Sequence, residues 1–208
     1  MADVIVVTAP DEFQKLFGVK VFLAGGITNC PDWQKDVIEY IKKEFEKYCC
    51  DDLYVNEKYG NHSDLIIFNP RRDNFPIDDP SASRNQILWE FNALEKCDIF
   101  SMYFSSGESD QPICMYELGR NLCRMQDKSP YWQDRIVITA ENGYRRKSDV
   151  ILQTRLATHV WLAPEFPEET DYQGYIKSHG TRILEAYYEY MGWRYSNAHK
   201  NPENYLHW

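Results

Sequence analysis

The chain has 208 residues, 43% of them hydrophobic and 15% aromatic, enough to bury one sizeable core, and this length favours a single domain over residues 1–208. Lysine and arginine total 23 against 32 acidic residues, a formal net charge of −9, which argues against polymeric nucleic acid and anionic membrane as partners. The six cysteines hold no C-x-x-C pair, the five histidines no metal-ligand spacing, no run approaches the roughly 18 apolar residues of a membrane span, and the start Met-Ala-Asp-Val-Ile lacks a signal peptide's basic region. The expectation is a cytoplasmic protein with reduced thiols, no metal and no cofactor.

Residues 1–18 read as a lead-in. The apolar run 19–24, closed by Gly25-Gly26, predicts a first strand and a tight turn; after Pro31, Trp33, Val37, Ile38, Ile41 and Phe45 recur at helical spacing. Residues 65–68 form a second strand ended by Asn69-Pro70, and a polar, turn-rich stretch covers 71–83. Ile87, Leu88, Phe91 and Leu94 then mark the apolar stripe of a second helix.

A third strand is expected over 98–104. Pro112 is placed for the first turn of a third helix, whose stripe is Cys114, Met115, Leu118, Leu122 and Met125. Residues 135–140 predict a fourth strand, 148–157 a fourth helix and 159–162 a fifth strand. A last helix runs from about Tyr172 to Gly192 with Ile176, Ile183, Leu184, Tyr187 and Met191 on one side, followed by an aromatic tail over 193–208. Strands alternating with helices imply an α/β, flavodoxin-like or Rossmann-like fold: an open five-stranded parallel sheet, expected strand order 2-1-3-4-5, with helices on both faces. Ligands of such sheets bind beyond the carboxyl ends of the strands.

The loops at those ends hold Gly25-Gly26-Ile27-Thr28-Asn29, Asn69-Pro70-Arg71-Arg72-Asp73, the segment 105–111 and Glu141-Asn142-Gly143-Tyr144. In the third helix Glu117 flanks the apolar stripe, so its carboxylate skirts the core toward the strand ends, and the helix N-terminus is expected to favour its ionised form. A carboxylate beside a partly apolar pocket suits attack on an anomeric carbon, because the transition state resembles an oxocarbenium ion. Glu90 on the second helix is the best-placed second carboxyl for a proton on the leaving base, although Glu95 flanks the same stripe. By spacing alone either acid also fits an ordinary solvated helix position.

Resemblance selects among them. The segment Ala93-Leu94-Glu95-Lys96-Cys97-Asp98-Ile99-Phe100, continuing to Met115-Tyr116-Glu117-Leu118-Gly119-Arg120, resembles the nucleoside 2-deoxyribosyltransferase superfamily, in which a strand and short loop lead to an E-L-G helix whose Glu is the nucleophile. Val21-Phe22-Leu23-Ala24-Gly25-Gly26-Ile27, Trp33 and Asn69-Pro70-Arg71-Arg72-Asp73 resemble its deoxyribosyltransferase-like branch. The matches span residues 19–160 in the expected order.

The resemblance implies that Glu117 is the glycosylated nucleophile, with Tyr116 beside it at the substrate, and that Glu90 stands where relatives have a proton-shuttling acid. Asp110 lies near a loop Asp that some relatives use on the sugar, with a spacing to Glu117 that differs by one. Gly25, Gly26 and Ile27 form the turn where backbone approaches a ligand, or simply makes the bend. Arg71 and Arg72 are suited to a 5′-phosphate or a base and Asp73 to a base amino group; a neutralised surface loop is the competing reading.

Residues 145–150 resemble an Arg-x-Gly-Asn-Val signature with Ser148-Asp149 in place of Gly-Asn. An acid at Asp149 accepts hydrogen bonds from a sugar and donates none. Relatives also close a neighbouring site with a C-terminal Tyr, a part open to Tyr205 or Trp208 in a homo-oligomer. The implied partners are a small nucleoside or nucleotide and a free nucleobase. If a second base accepts the sugar the enzyme is a transferase, if water does it is an N-glycosidase of nucleosides or nucleoside 5′-monophosphates, and a chain that keeps the pocket without turnover is a sensor.

Overall fold

A computed structural model of the protein describes residues 2–51, 63–76, 78–107, 109–128, 132–158 and 171–200. Five strands, β1 (Val4–Thr8), β2 (Val19–Gly25), β3 (Leu65–Asn69), β4 (Ile99–Phe104) and β5 (Ile136–Ala140), form one open sheet in the order β1-β3-β2-β4-β5. All four pairings are parallel, with Val21 opposite both Ile67 and Ile99. Helices α1 (Trp33–Asp51), α2 (Pro80–Lys96), α3 (Pro112–Lys128), α4 (Lys147–Thr158) and α5 (Tyr172–Lys200) connect and flank the strands.

The strands are apolar on both sides because both faces are covered. Along β2, Val19, Val21 and Leu23 pack with Trp33, Val37 and Ile41 of α1 and Ile183, Leu184 and Tyr187 of α5. Phe22 and Ala24 point the other way, into a core with Trp89, Ala93 and Leu94 of α2, Leu118, Leu122 and Met125 of α3 and Val150 of α4. The α/β class and the open parallel sheet expected from the sequence are therefore observed, with helices on both faces.

The structure departs from the sequence reading in some details, and some expected features lie outside the described residues. The stretch read as a lead-in supplies β1, an edge strand of β-branched residues paired with β3 from Val4↔Leu65 to Thr8↔Asn69. The expected strand at 159–162 lies outside the described residues, as do Tyr205 and Trp208. In α2 three of the four expected stripe residues face outward, with Ile87, Leu88 and Phe91 exposed by 64, 49 and 46%, while Leu94 is buried as expected, together with Ala82, Trp89 and Ala93.

The large indole of Trp89 sets that rotation. It packs on Phe13, Phe22 and Phe68, and its Nε1 donates to the Asp11 carbonyl at 2.8 Å. An N-cap by Asp79, whose side chain accepts from the Ser81 amide, fixes where the helix starts. At the other end of the chain, α5 continues through Gly192 to Lys200, so part of the expected tail is helical.

Candidate active site

Strand order reverses between β2 and β4, since β3 lies on one side of β2 and β4 on the other. In open α/β sheets such a point opens a crevice beyond the carboxyl ends of the strands. Here it is a cleft of about 250 Å³ on the α2 and α3 side of the sheet. Its floor is Phe22 and Ala24 of β2, one wall is the turn Gly25-Gly26-Ile27-Thr28 together with Pro70, and α2 and α3 contribute Glu90, Cys114 and Glu117.

The glycine turn is shaped by crowding. A Cβ at Gly25 would run into the Tyr103 carbonyl and the Trp33 indole, and one at Gly26 would lie 2.5 Å from Cys30 Sγ and 2.6 Å from Gln111 Oε1. Both backbone polar groups of Gly26 are engaged: its carbonyl accepts from Trp33 Nε1 at 3.0 Å and its amide donates to Gln111 Oε1 at 3.1 Å. Gln111 Nε2 donates in turn to the Ser105 carbonyl at 2.9 Å. Gln111 is 5% exposed, holds a left-handed φ of 47° just before Pro112, and its carbonyl accepts from the Met115 amide at the start of α3. One buried residue thus ties the β2 turn, the β4 loop and α3 together, with local backbone strain held by those contacts.

Glu90 and Glu117 enter the same cleft from neighbouring helices. Burial, and next the nearby Glu90 charge, push the Glu117 carboxyl up to about 7, with Arg120 acting in the opposite direction. Burial likewise raises Glu90, against a hydrogen bond from Gln86. Cys114, one turn before Glu117, is held as a neutral thiol, its pKa pushed up to about 12 by burial and then by Glu117 and Cys30. The expected ionisation of Glu117 by the helix N-terminus is outweighed, because dipole stabilisation fades beyond the first turn while burial and a like charge do not. Burial and the charge of Glu90 on Glu117 thus oppose the ionisation of both carboxyls at once.

The structure brings together five of the residues expected at the site: Glu117, Glu90, Gly25, Gly26 and Ile27 all line the cleft. Tyr116 is 71% exposed and does not line the cleft. Arg71 braces two loops: Nη1 donates to the Pro31 carbonyl at 2.7 Å, Nη2 to the Cys30 carbonyl at 3.3 Å, and Nε lies 3.4 Å from Asp32. The Arg72 guanidinium stacks over Phe75, and Asp73 is exposed. Asp110 and Asp149 form exposed ion pairs with Arg145 at 2.9 Å and Arg146 at 3.3 Å, outside the lining. Gln111, Thr28, Ser109 and Pro70 line the cleft from loops that the sequence reading named without singling these residues out; for Gln111 the available signal was a polar residue immediately before a helix-starting proline.

Residues 18–129, which contain the glycine turn, the Pro70 loop, both acids and all of α2, match the family model described as nucleoside 2-deoxyribosyltransferase like. The chain belongs to this family. A search of curated proteins finds no match. The family implies an enzyme of N-glycosyl transferase or glycosidase type with small nucleosides as substrates, and no described helix is long and apolar enough to cross a membrane.

Proposed function

We propose that the protein cleaves the N-glycosidic bond of a nucleoside or nucleotide and transfers the sugar to another base through a glycosyl ester on Glu117. The observation that carries this reading is the pair of half-buried carboxyls, Glu117 and Glu90, facing one cleft at the sheet's switch point. A carboxylate oxygen of Glu117 bonds to C1′ as the C1′–N bond breaks. The departing electron pair goes to the base nitrogen, which takes its proton from Glu90. An incoming base then attacks C1′ through nitrogen, expels the Glu117 carboxylate and returns a proton to Glu90, so configuration is retained.

Gly25, Gly26 and Ile27 let the backbone approach the ligand, Phe22, Pro70 and Ile113 offer apolar surface for the base, and Arg71 steadies the walls. Asp110, Asp149, Tyr116, Arg72 and Asp73 act at the periphery of the bound substrate. We further read the protein as a cytoplasmic homo-oligomer, supported by the exposed apolar residues Ile87, Leu88, Phe91, Ile113 and Tyr116 on the two helices that carry the acids. A monomer in sedimentation at micromolar concentration would contradict that part.

The test is chromatographic. Deoxynucleosides and nucleoside 5′-monophosphates are incubated with and without a second free base, using the wild type and Glu117→Gln. Base exchange without net sugar release is expected for the wild type, with a loss of at least about 10³-fold in the variant. Net sugar release instead assigns hydrolysis, and undiminished turnover by Glu117→Gln removes this residue from the mechanism.

A further inference from the structure

Gln86 stands one turn before Glu90 on α2, behind the cleft wall. Its Nε2 donates to the Pro70 carbonyl at 2.7 Å and to Glu90 Oε1 at 2.8 Å. Both partners accept hydrogen bonds, so the nitrogen of the side chain, and not its oxygen, must lie between them. The amide's two hydrogens are thereby both committed. Its own oxygen is buried and has no hydrogen-bond partner among the described residues. The side chain therefore forgoes a bond to Oε1 in order to keep two donated ones, an arrangement stable only if those two bonds are strong.

Pro70 and Glu90 both line the cleft, on different segments of the chain. We propose that Gln86 is the positioning residue for Glu90, clamping this acid to the loop after β3 so that its carboxyl is held at the cleft wall. The inference rests on the reading of Glu90 as the proton donor. A glutamate side chain has three freely rotating bonds, and an unanchored one would sample orientations that miss the departing base. One bond to Oε1 removes that freedom.

The same bond sets how readily Glu90 gives up its proton. Burial raises this carboxyl, and the Gln86 hydrogen bond is the influence that pulls it back. The titratable groups that face it are Glu117 and Cys114 on α3, with Arg120 acting on Glu117; the loop after β3 offers the Pro70 carbonyl and β2 offers apolar Phe22. Without Gln86, Glu90 keeps its proton to higher pH and is a weaker donor to the leaving base.

Two variants separate position from mere packing. Gln86→Leu removes both donated bonds, and Gln86→Glu keeps the shape while setting acceptor oxygens against two acceptors. In Gln86→Leu the alkaline limb of the base-release profile is expected to move up and to move more than the acid limb, which Glu117 sets under the influence of the Glu90 charge; kcat falls at least about tenfold with KM little altered. Gln86→Glu moves the alkaline limb further, and Gln86→Met replaces it should the glutamate variant not fold.

A carbon-13 titration of the Glu90 carboxyl, assigned by its loss in Glu90→Gln, reads the same shift without turnover. An unmoved Glu90 midpoint in folded Gln86→Leu overturns the proposal, and so does a kcat loss with an unshifted profile. Full base release by Glu90→Gln instead defeats the proton-donor reading itself, an outcome distinguishable because the carboxyl titration still shows whether Gln86 governs Glu90.

Discussion

His179 and Glu141 on one face of the sheet and Glu117 on the other are buried in opposite ways. Under α1 and α5, His179 is fully enclosed, yet its Nε2 meets Ser101 Oγ and its Nδ1 meets Thr139 Oγ1, each at 2.8 Å. Burial, then the nearby Arg182, hold the imidazole down to about 3, so it stays neutral across the physiological range. Glu141 on the same side accepts from Tyr103 Oη at 2.6 Å and the Ser106 amide at 2.7 Å. Across the sheet, no described residue donates a hydrogen bond to the Glu117 carboxylate, and its charge is opposed by burial and by Glu90. Burial that is matched by partners makes structure, whereas burial left unmatched at a cleft makes a group that reacts.

Breaking this contrast on the reactive side has the largest expected effect. Glu90→Gln keeps the Gln86 contact geometry but carries no transferable acidic proton, and steady-state assays are expected to show a 10²–10⁴-fold fall in turnover. On the matched side the effect is on folding. His179→Leu leaves Ser101 and Thr139 hydroxyls unpaired in a dry core, at a cost of about 3 kcal/mol. Denaturant melts should register this loss while turnover per folded molecule stays within about twofold of the wild type.

The smallest effect sharpens the comparison most. Because the folded-state pKa of Glu117, about 7, lies above its ordinary value of 4.5, the stability this carboxyl contributes is complete below pH 4.5 and is lost as pH rises through 7. Glu117→Gln removes that loss. At pH 8 the variant is expected to be more stable than the wild type by on the order of 2 kcal/mol, a few degrees in Tm, with the two melting curves converging at pH 4. A variant no more stable than wild type at pH 8 would mean that Glu117 bears no uncompensated charge.

What the sequence made legible follows the range of the interactions. The apolar runs of β2 to β5, the stripes of α1 and α3, and the position of Glu117 beside one of them are local patterns, and the structure reproduces them. The rotation of α2 is not local. Ile87, Leu88 and Phe91 form a good stripe by spacing, but Trp89 finds Phe13, Phe22 and Phe68 and turns the helix the other way. Val4–Thr8 is a β-branched run whose partner, β3, follows about sixty residues later.

The clamp residues were hidden for a similar reason. Gln111 earns its place by bonding Gly26 across 85 positions of sequence, and polar residues give no periodicity to announce such a partner. The arginines of the β3 loop also have contacts that spacing does not announce. Arg71 and Arg72 follow a strand end, as a phosphate-binding pair would, yet the first is committed to carbonyls of the neighbouring loop and the second to Phe75. Charge can be read from a sequence; whether that charge is already satisfied cannot.

The central claim is a covalent bond between the sugar and Glu117. The most direct test is a rapid acid quench of the enzyme turning over a deoxynucleoside, followed by mass spectrometry of the peptide that spans α3. The account predicts a mass increment of one deoxyribosyl residue on Glu117, lost when a free base is added before the quench. Continued turnover with that peptide unmodified, or with the sugar on a different side chain, would contradict it.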